Sequence, residues 1–189
     1  MNISAGLLAG GESRRMGKDK PTIVFHGKPL WQIQLDLLCK LYPAEIFLSA
    51  RTDPGWRPRD VQFVRDVSPS RGPLSGLTAS LDRIRTSHLL ALAIDMPFMT
   101  QKYLKFLCHQ IKPGCGVLPK IGSRAEPLAA IYPREASPDF RRALAGADFS
   151  LQTLTSRLID AGKLRPIAVL DEEKKFFVNL NEPADVQSG

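Results

Sequence analysis

The sequence predicts an α/β fold in three layers, with a mostly parallel central sheet between helices. Three observations carry that expectation. Apolar runs of strand length alternate with stretches whose apolar residues recur at helical spacing. The run from His88 to Ile94 is apolar at nearly every position, the pattern of a strand buried on both faces. The first apolar run passes directly into Ala9-Gly10-Gly11, so the chain leaves a buried strand through a glycine loop.

Taken in order, Asn2 to Leu8 is the first strand. Pro29 to Tyr42 is a helix, with proline at its start and Leu30, Ile33, Leu37, Leu38 and Leu41 on one face. Glu45 to Ala50 is a second strand, and Val61 to Val64 a third after a Pro/Gly-rich loop. Gly72-Pro73 opens a helix from Leu74 to Arg85, and His88 to Ile94 runs into Asp95. Thr100 caps a helix through Ile111. Cys115 to Pro119 and Leu128 to Tyr132 are further strands, followed by helices around Phe140 and from Leu151 to Asp160. Leu164 to Leu170 and Phe176 to Val178 close the sheet. Two late strands with a short connection imply antiparallel character near one edge. No repeat or domain boundary interrupts residues 1–189, which read as one domain.

Composition narrows the function classes. Apolar content of 43% and charged content of 24% are those of a globular chain. No apolar run approaches the roughly 18–20 residues of a membrane span, and Gly6, Gly10 and Gly11 cut the N-terminal apolar stretch that a signal peptide would need. Cys39, Cys108 and Cys115 form no C-x-x-C pair, and His26, His88 and His109 complete no zinc spacing. The expectation is a cytoplasmic protein with reduced thiols. The net charge of +7 suits an anionic partner but is scattered. Without basic blocks or interleaved aromatics, it argues against nucleic acid as the ligand.

Four constellations carry chemistry. In Leu8 to Lys20, glycines let backbone N–H groups approach an anion, while Arg14, Arg15, Lys18 and Lys20 add positive charge. A tight turn with a solvated basic cap would read the same way. The loop is neither G-x-x-x-x-G-K-[ST], since Asp19 follows Gly17-Lys18, nor G-x-G-x-x-G. Asp95 ends the most apolar strand, where open α/β sheets gather ligands, and a lone carboxylate there suits Mg²⁺ or a turn before Pro97. Asp66 ends the third strand, ahead of Gly72-Pro73-Leu74-Ser75-Gly76. A carboxylate can accept the N1 and N2 hydrogens of guanine, a donor pair cytosine lacks; a turn leading into a helix is the alternative. Asn179 and Asn181 stand in Phe177-Val178-Asn179-Leu180-Asn181-Glu182-Pro183, either to read a heterocycle or to cap a last helix.

Together these residues resemble a known family. Leu8-Ala9-Gly10-Gly11-Glu12-Ser13-Arg14-Arg15-Met16-Gly17-Lys18-Asp19-Lys20 is similar to L-A-G-G-x-S-x-R-M-G-x-D-K, the signature of nucleotidyltransferases with the MobA-type fold, among them the molybdenum cofactor guanylyltransferases. Asp66 through Gly76 resembles their D-x-x-x-x-x-G-P-L-A-G, with Ser75 in place of alanine. Asp95-Met96-Pro97 resembles their D-x-P, Glu126 to Tyr132 their P-L-x-A-x-Y, and Phe177 to Pro183 their F-x-N-x-N-x-P. The resemblance runs from about Ile3 to Asp185.

The resemblance implies a Rossmann-like nucleotidyltransferase fold of the nucleotide-diphospho-sugar transferase type. It implies an enzyme that moves GMP from GTP onto molybdopterin, with or without molybdenum, and releases pyrophosphate. It places Leu8, Ala9, Gly10, Gly11, Lys20, Asp66, Gly72, Gly76 and Asp95 on the nucleotide, with Lys20 and Asp95 catalytic. Asp95 would hold Mg²⁺, Ser13 and Arg15 would help with phosphates, and Asn179 and Asn181 would lie on the pterin side. Other molybdenum cofactor biosynthesis proteins and client molybdoenzymes are the implied protein partners. Arg124 stands where it could meet a phosphate.

Two departures stand out. Arg51 follows Ser49-Ala50 where the family often has asparagine, and Phe149 precedes Ser150 where it often has arginine. A cytidylyltransferase or another transferase of this type acting on a phosphorylated small molecule is the near alternative. A non-catalytic nucleotide-binding protein is the more distant one.

Overall fold

In the computed structural model, residues 2–10 and 20–180 are described. Their strands are β1 (Ile3–Leu8), β2 (Val24–Phe25), β3 (Lys28–Pro29), β4 (Glu45–Ala50), β5 (Gln62–Arg65), β6 (His88–Ala93), β7 (Gly116–Ile121), β8 (Arg124–Ala125), β9 (Ala129–Pro133) and β10 (Leu164–Ala168). The α-helices are α1 (Leu30–Cys39), α2 (Pro73–Arg83), α3 (Gln101–His109), α4 (Ser137–Ala145) and α5 (Leu151–Asp160). The central sheet runs β10-β7-β9-β6-β1-β4-β5, with β8 paired to the end of β7, while β2 and β3 form a separate hairpin. No helix among the described residues is long and apolar enough to cross a membrane.

Side chains alternating along each strand divide the interior into two cores. Ile3, Ala5 and Leu7 of β1, Leu90 and Leu92 of β6, and Ala129 and Ile131 of β9 face α1 and α3. Leu89, Ala91, Ala130 and Tyr132 face the other way, onto α2, α4 and α5. The register matches like with like: Leu7 pairs with Leu48 and Leu92, and Leu90 with Ile131. Both faces of β1, β6 and β9 are therefore buried, as the continuous apolar runs require.

Every strand of the main path is parallel to its neighbours except β9, which is antiparallel to both β6 and β7. The antiparallel element is thus inside the sheet and not at the edge, and the edge strand β10 is parallel to β7. The expected strand at Phe176 to Val178 is also absent. Asp171–Phe177 is a 3₁₀ helix, with Glu173 Oε2 accepting from the Leu170 backbone N–H at 3.0 Å and Lys174 paired to Asp171 at 2.6 Å. Acidic residues in the first turn and lysines in the last favour a helical turn. The two aromatics that resembled a strand instead pack beside Tyr103, each ring centroid 5.5 Å away. The helix expected to reach Ile111 ends at His109, with Thr100 capping it by accepting from the Tyr103 N–H.

Candidate active site

The carboxyl ends of β1, β4, β5 and β6 are stitched together beyond the strands themselves. Ala9 N–H donates to Ser49 O at 2.9 Å, Asp66 N–H to Ala50 O at 3.0 Å, and Ile94 N–H to Leu8 O at 3.2 Å. These bonds bring Leu8, Ala9, Gly10, Asp66 and Asp95 to one rim of the sheet, the edge at which open parallel sheets bind ligands.

On one side of Gly10 lies Asp66, 8% exposed. Ser49 Oγ donates to its Oδ1 at 2.5 Å. A Cβ on Gly10 would fall 2.4 Å from Asp66 Oδ2, and one on Gly76 would fall 2.6 Å from Ser49 Oγ and 3.0 Å from Asp66 Oδ1. Both glycines are therefore required by close approach to this carboxylate. Burial pushes the Asp66 acid above its usual range, while the Ser49 hydroxyl and the Arg51 charge oppose that rise. Gly72 has a different reason to be glycine: φ is +64° where the chain turns into α2, and a Cβ there would meet nothing. The start of α2 is fixed by Arg71 N–H donating to Ser75 Oγ at 2.7 Å.

On the other side of Gly10, Lys20 Nζ donates to Asp95 Oδ2 at 2.7 Å, with side chains 21% and 18% exposed. Lys20 opens a 3₁₀ turn, Lys20–Thr22, packed against α1. The Asp95 segment is held from two directions: Gln34 Nε2 of α1 donates to Met96 O at 2.7 Å, and Leu180 N–H donates to Asp95 O at 2.9 Å. No group of three or more His, Cys, Asp or Glu side chains among the described residues could enclose a metal. The residues do fit Mg²⁺ in a more open form. Asp95 Oδ1 accepts no hydrogen bond among the described residues and the carboxylate lines a cavity, so one protein oxygen is available to an ion that keeps waters and substrate phosphates.

Three cavities meet along this rim. One of about 180 Å³ is lined by Gly10, Lys20, Pro73, Asp95 and Leu128. A second of about 150 Å³ lies between Gly10, Ala50, Arg51 and Trp56. A third of about 450 Å³ has Arg51, Asp66 and Ser70 in its walls. Trp56 stacks on Trp31 of α1, with centroids 5.3 Å apart and planes 17° apart. Asn179 Oδ1, next to the residue that bonds Asp95 O, is buried and has no donor among the described residues.

Of the residues expected at a site, Leu8, Ala9, Gly10, Lys20 and Asp95 share one cavity. Asp66 is tied to it through Gly10, and Gly76 lies against Asp66 and Leu8. Gly72 lies at the turn into α2, and Asn179 immediately precedes the residue bonded to Asp95. Gly11, Ser13, Arg15 and Asn181 lie outside the described residues. Of the two departures, Arg51 lines two of the cavities, and Phe149 carries the Arg71 guanidinium over its ring, 4.4 Å from the centroid. Sequence reasoning did not single out Ser49 or Trp56. The signal for Trp56 was a tryptophan in a Pro/Gly-rich loop just after a strand. Ser49 had none beyond its place at a strand end.

Residues 5–161 match the MobA-like NTP transferase domain. A curated relative from Opitutus terrae, named a probable molybdenum cofactor guanylyltransferase, is 32% identical over 97% of this chain and 92% of its own. The crystal structure of molybdopterin-guanine dinucleotide biosynthesis protein A from Archaeoglobus fulgidus superposes with a TM-score of 0.80. It is 25% identical, covering 97% of this chain and 95% of that one. A 4-diphosphocytidyl-2C-methyl-D-erythritol synthase from Anaerococcus prevotii shares the fold alone, at a TM-score of 0.75 and 14% identity over 98% of this chain and 92% of that one.

Proposed function

The chain belongs to the MobA-like NTP transferase family, and from that premise we propose that it transfers GMP from GTP to molybdopterin, free or carrying molybdenum, releasing pyrophosphate. Residues 1–189 are read as one such domain. The observation that carries the proposal is the convergence on Gly10 of a buried carboxylate, Asp66, and a lysine–carboxylate pair, Lys20 with Asp95.

In this reading Asp66 accepts the N1 and N2 hydrogens of guanine. A buried carboxylate fixed by Ser49 is ordered before the base arrives, and a base without that donor pair leaves it poorly satisfied. Leu8, Ala9 and Gly10 lie against the nucleotide, with Gly11 continuing the loop. Gly76 keeps space beside Asp66, and Gly72 sets the turn that carries the loop to α2. Lys20 neutralises charge at the α-phosphate and on the departing pyrophosphate, helped by Ser13 and Arg15. Asp95 would hold Mg²⁺, which would supply charge neutralisation for the phosphates. An acceptor phosphate oxygen forms the new bond to the α-phosphorus while the α–β bridging bond breaks. The nucleophile is already anionic, so no Ser, Cys or His base is needed, and catalysis is positioning and charge stabilisation. Asn179 and Asn181 take the pterin side, and Asn179 Oδ1, buried and without a donor among the described residues, can accept one from the ring.

The test is pyrophosphate release with purified acceptor and each NTP in turn. GTP should be preferred, and Lys20→Ala and Asp95→Ala should each lower turnover by roughly 10²-fold or more. Near-normal turnover in both variants, or equal use of CTP, would sink the assignment.

A further inference from the structure

We propose that Gln34 is a positioning residue for Asp95: from inside the core, its amide tethers the turn that carries this carboxylate to α1, the helix that also fixes Lys20. This rests on the reading above that Asp95 would hold Mg²⁺.

Gln34 is fully buried on α1, in company with Leu30, Leu35 and Leu38. Glutamine is mostly an exposed residue, and leucine or methionine would fill such a place without a polar group to satisfy. Only one end of the amide is satisfied. Gln34 Nε2 donates to Met96 O at 2.7 Å, but Oε1 is buried and has no partner among the described residues. Met96 O does not need the amide for its own sake, since Met99 N–H also donates to it, at 3.1 Å. What the amide adds is a link between segments 62 residues apart.

That link completes a frame around the Lys20–Asp95 pair. Ile23 N–H donates to Lys20 O at 3.2 Å, and Leu30 N–H, at the start of α1, donates to Ile23 O at 2.9 Å. Gln34 stands about one turn further along the helix and reaches Met96, the residue after Asp95. Successive turns of one helix therefore hold the backbones on either side of a pair whose side chains meet at 2.7 Å. Pro97 comes next and has no N–H with which to brace the turn. Leu180 N–H holds Asp95 O from the C-terminal segment at 2.9 Å, while Gln34 holds the same turn from the helical layer. Mg²⁺ demands near-octahedral ligands, and a carboxylate that serves it must be set within about 0.5 Å. Removing a group that orients a metal ligand typically costs about 10–100-fold in metal affinity.

The experiment measures GTP affinity of the full chain by calorimetry, once with saturating Mg²⁺ and once in EDTA. The ratio is the gain that the metal confers. Wild type is compared with Gln34→Met, Asp95→Ala and Leu38→Ala, the last of which opens the core beside the same helix without removing a hydrogen bond. Methionine keeps the volume and removes both the donor and the orphaned oxygen, so the melting temperature of Gln34→Met should stay close to that of the wild type. Its Mg²⁺-conferred gain should fall by about 10-fold, with affinity in EDTA unchanged within about twofold. Asp95→Ala should lose at least as much of the gain. Leu38→Ala should melt earlier and keep the gain within about twofold. An unchanged gain in Gln34→Met, or an equal loss in Leu38→Ala, overturns the positioning role. If Asp95→Ala leaves the gain intact, the metal reading of Asp95 fails and this inference falls with it. If the gains behave as expected but no pyrophosphate is released when acceptor is supplied, the transferase reading fails alone. Should Gln34→Met not fold, Gln34→Leu is judged by the same readouts.

Discussion

Gly76 lies in the first turns of α2, where replacing glycine by alanine ordinarily stabilises a helix by about 0.5–1 kcal/mol. Here the sign should reverse. The new methyl would stand 2.6 Å from Ser49 Oγ and 3.0 Å from Asp66 Oδ1. Ser49 is fully buried between β1 and β5, so its hydroxyl can yield only by rotating off Asp66. That forfeits a 2.5 Å hydrogen bond to a buried carboxylate, a loss of about 1.5–3 kcal/mol. Subtracting the helix gain leaves Gly76→Ala destabilised by about 0.5–2.5 kcal/mol. In a Ser49→Ala background the obstructing oxygen is gone, the 3.0 Å contact can be relieved by a small tilt of the carboxylate, and the helix gain should emerge. Urea unfolding of the four proteins in this cycle reads the coupling directly. The reasoning is refuted if Gly76→Ala stabilises the wild type, or costs the same with and without Ser49.

Asp66→Asn should separate stability from recognition. The folded acid of Asp66 is raised, so its contribution to stability is fully present below its unfolded value of about 4 and is lost as pH rises through the folded value. Asparagine has no such loss, so the variant should gain on the wild type in chemical-denaturation stability between about pH 4 and pH 8. Its preference for GTP over other NTPs should fall by roughly 10-fold or more, read by competition binding. Gly116→Ala should be far harsher than Gly76→Ala, because its methyl would lie 1.9 Å from the backbone oxygen of Ile131 with no side chain able to yield. A loss of about 3 kcal/mol or more, or failure to fold, is expected, and a mild effect on the melting temperature would contradict the β7–β9 packing.

Much of this was legible before any coordinates. The apolar runs at Ile3–Leu8 and His88–Ala93 announced strands buried on both faces, because no other setting tolerates a leucine-rich stretch without a polar side. Asp66 and Asp95 stood out because each follows the end of a strand, Asp95 the most apolar of them. What was hidden depended on contacts between distant segments. Ser49 is an ordinary serine until β5 brings Asp66 beside it. Phe176, Phe177 and Val178 have strand propensity, but their rings are claimed by Tyr103 on α3, and the charges of residues 171–175 close a helical turn. The sense of β9 was equally hidden, since a buried strand looks the same read in either direction.

That reversed strand has an evolutionary consequence. A parallel strand leaves a rim at its carboxyl end and must return by a long crossover, so altering its exit disturbs a helix and a second strand together. Because β9 runs the other way, the rim is reached on this side through the short β7–β8–β9 link, residues 122–128, and no helix intervenes. Such a link can lengthen, shorten or exchange residues at little thermodynamic expense. The half of the cleft built on β1, β4 and β5 would be left untouched. The wall that Leu128 gives the cavity could therefore drift within this architecture while the Asp66 side of the rim stays fixed.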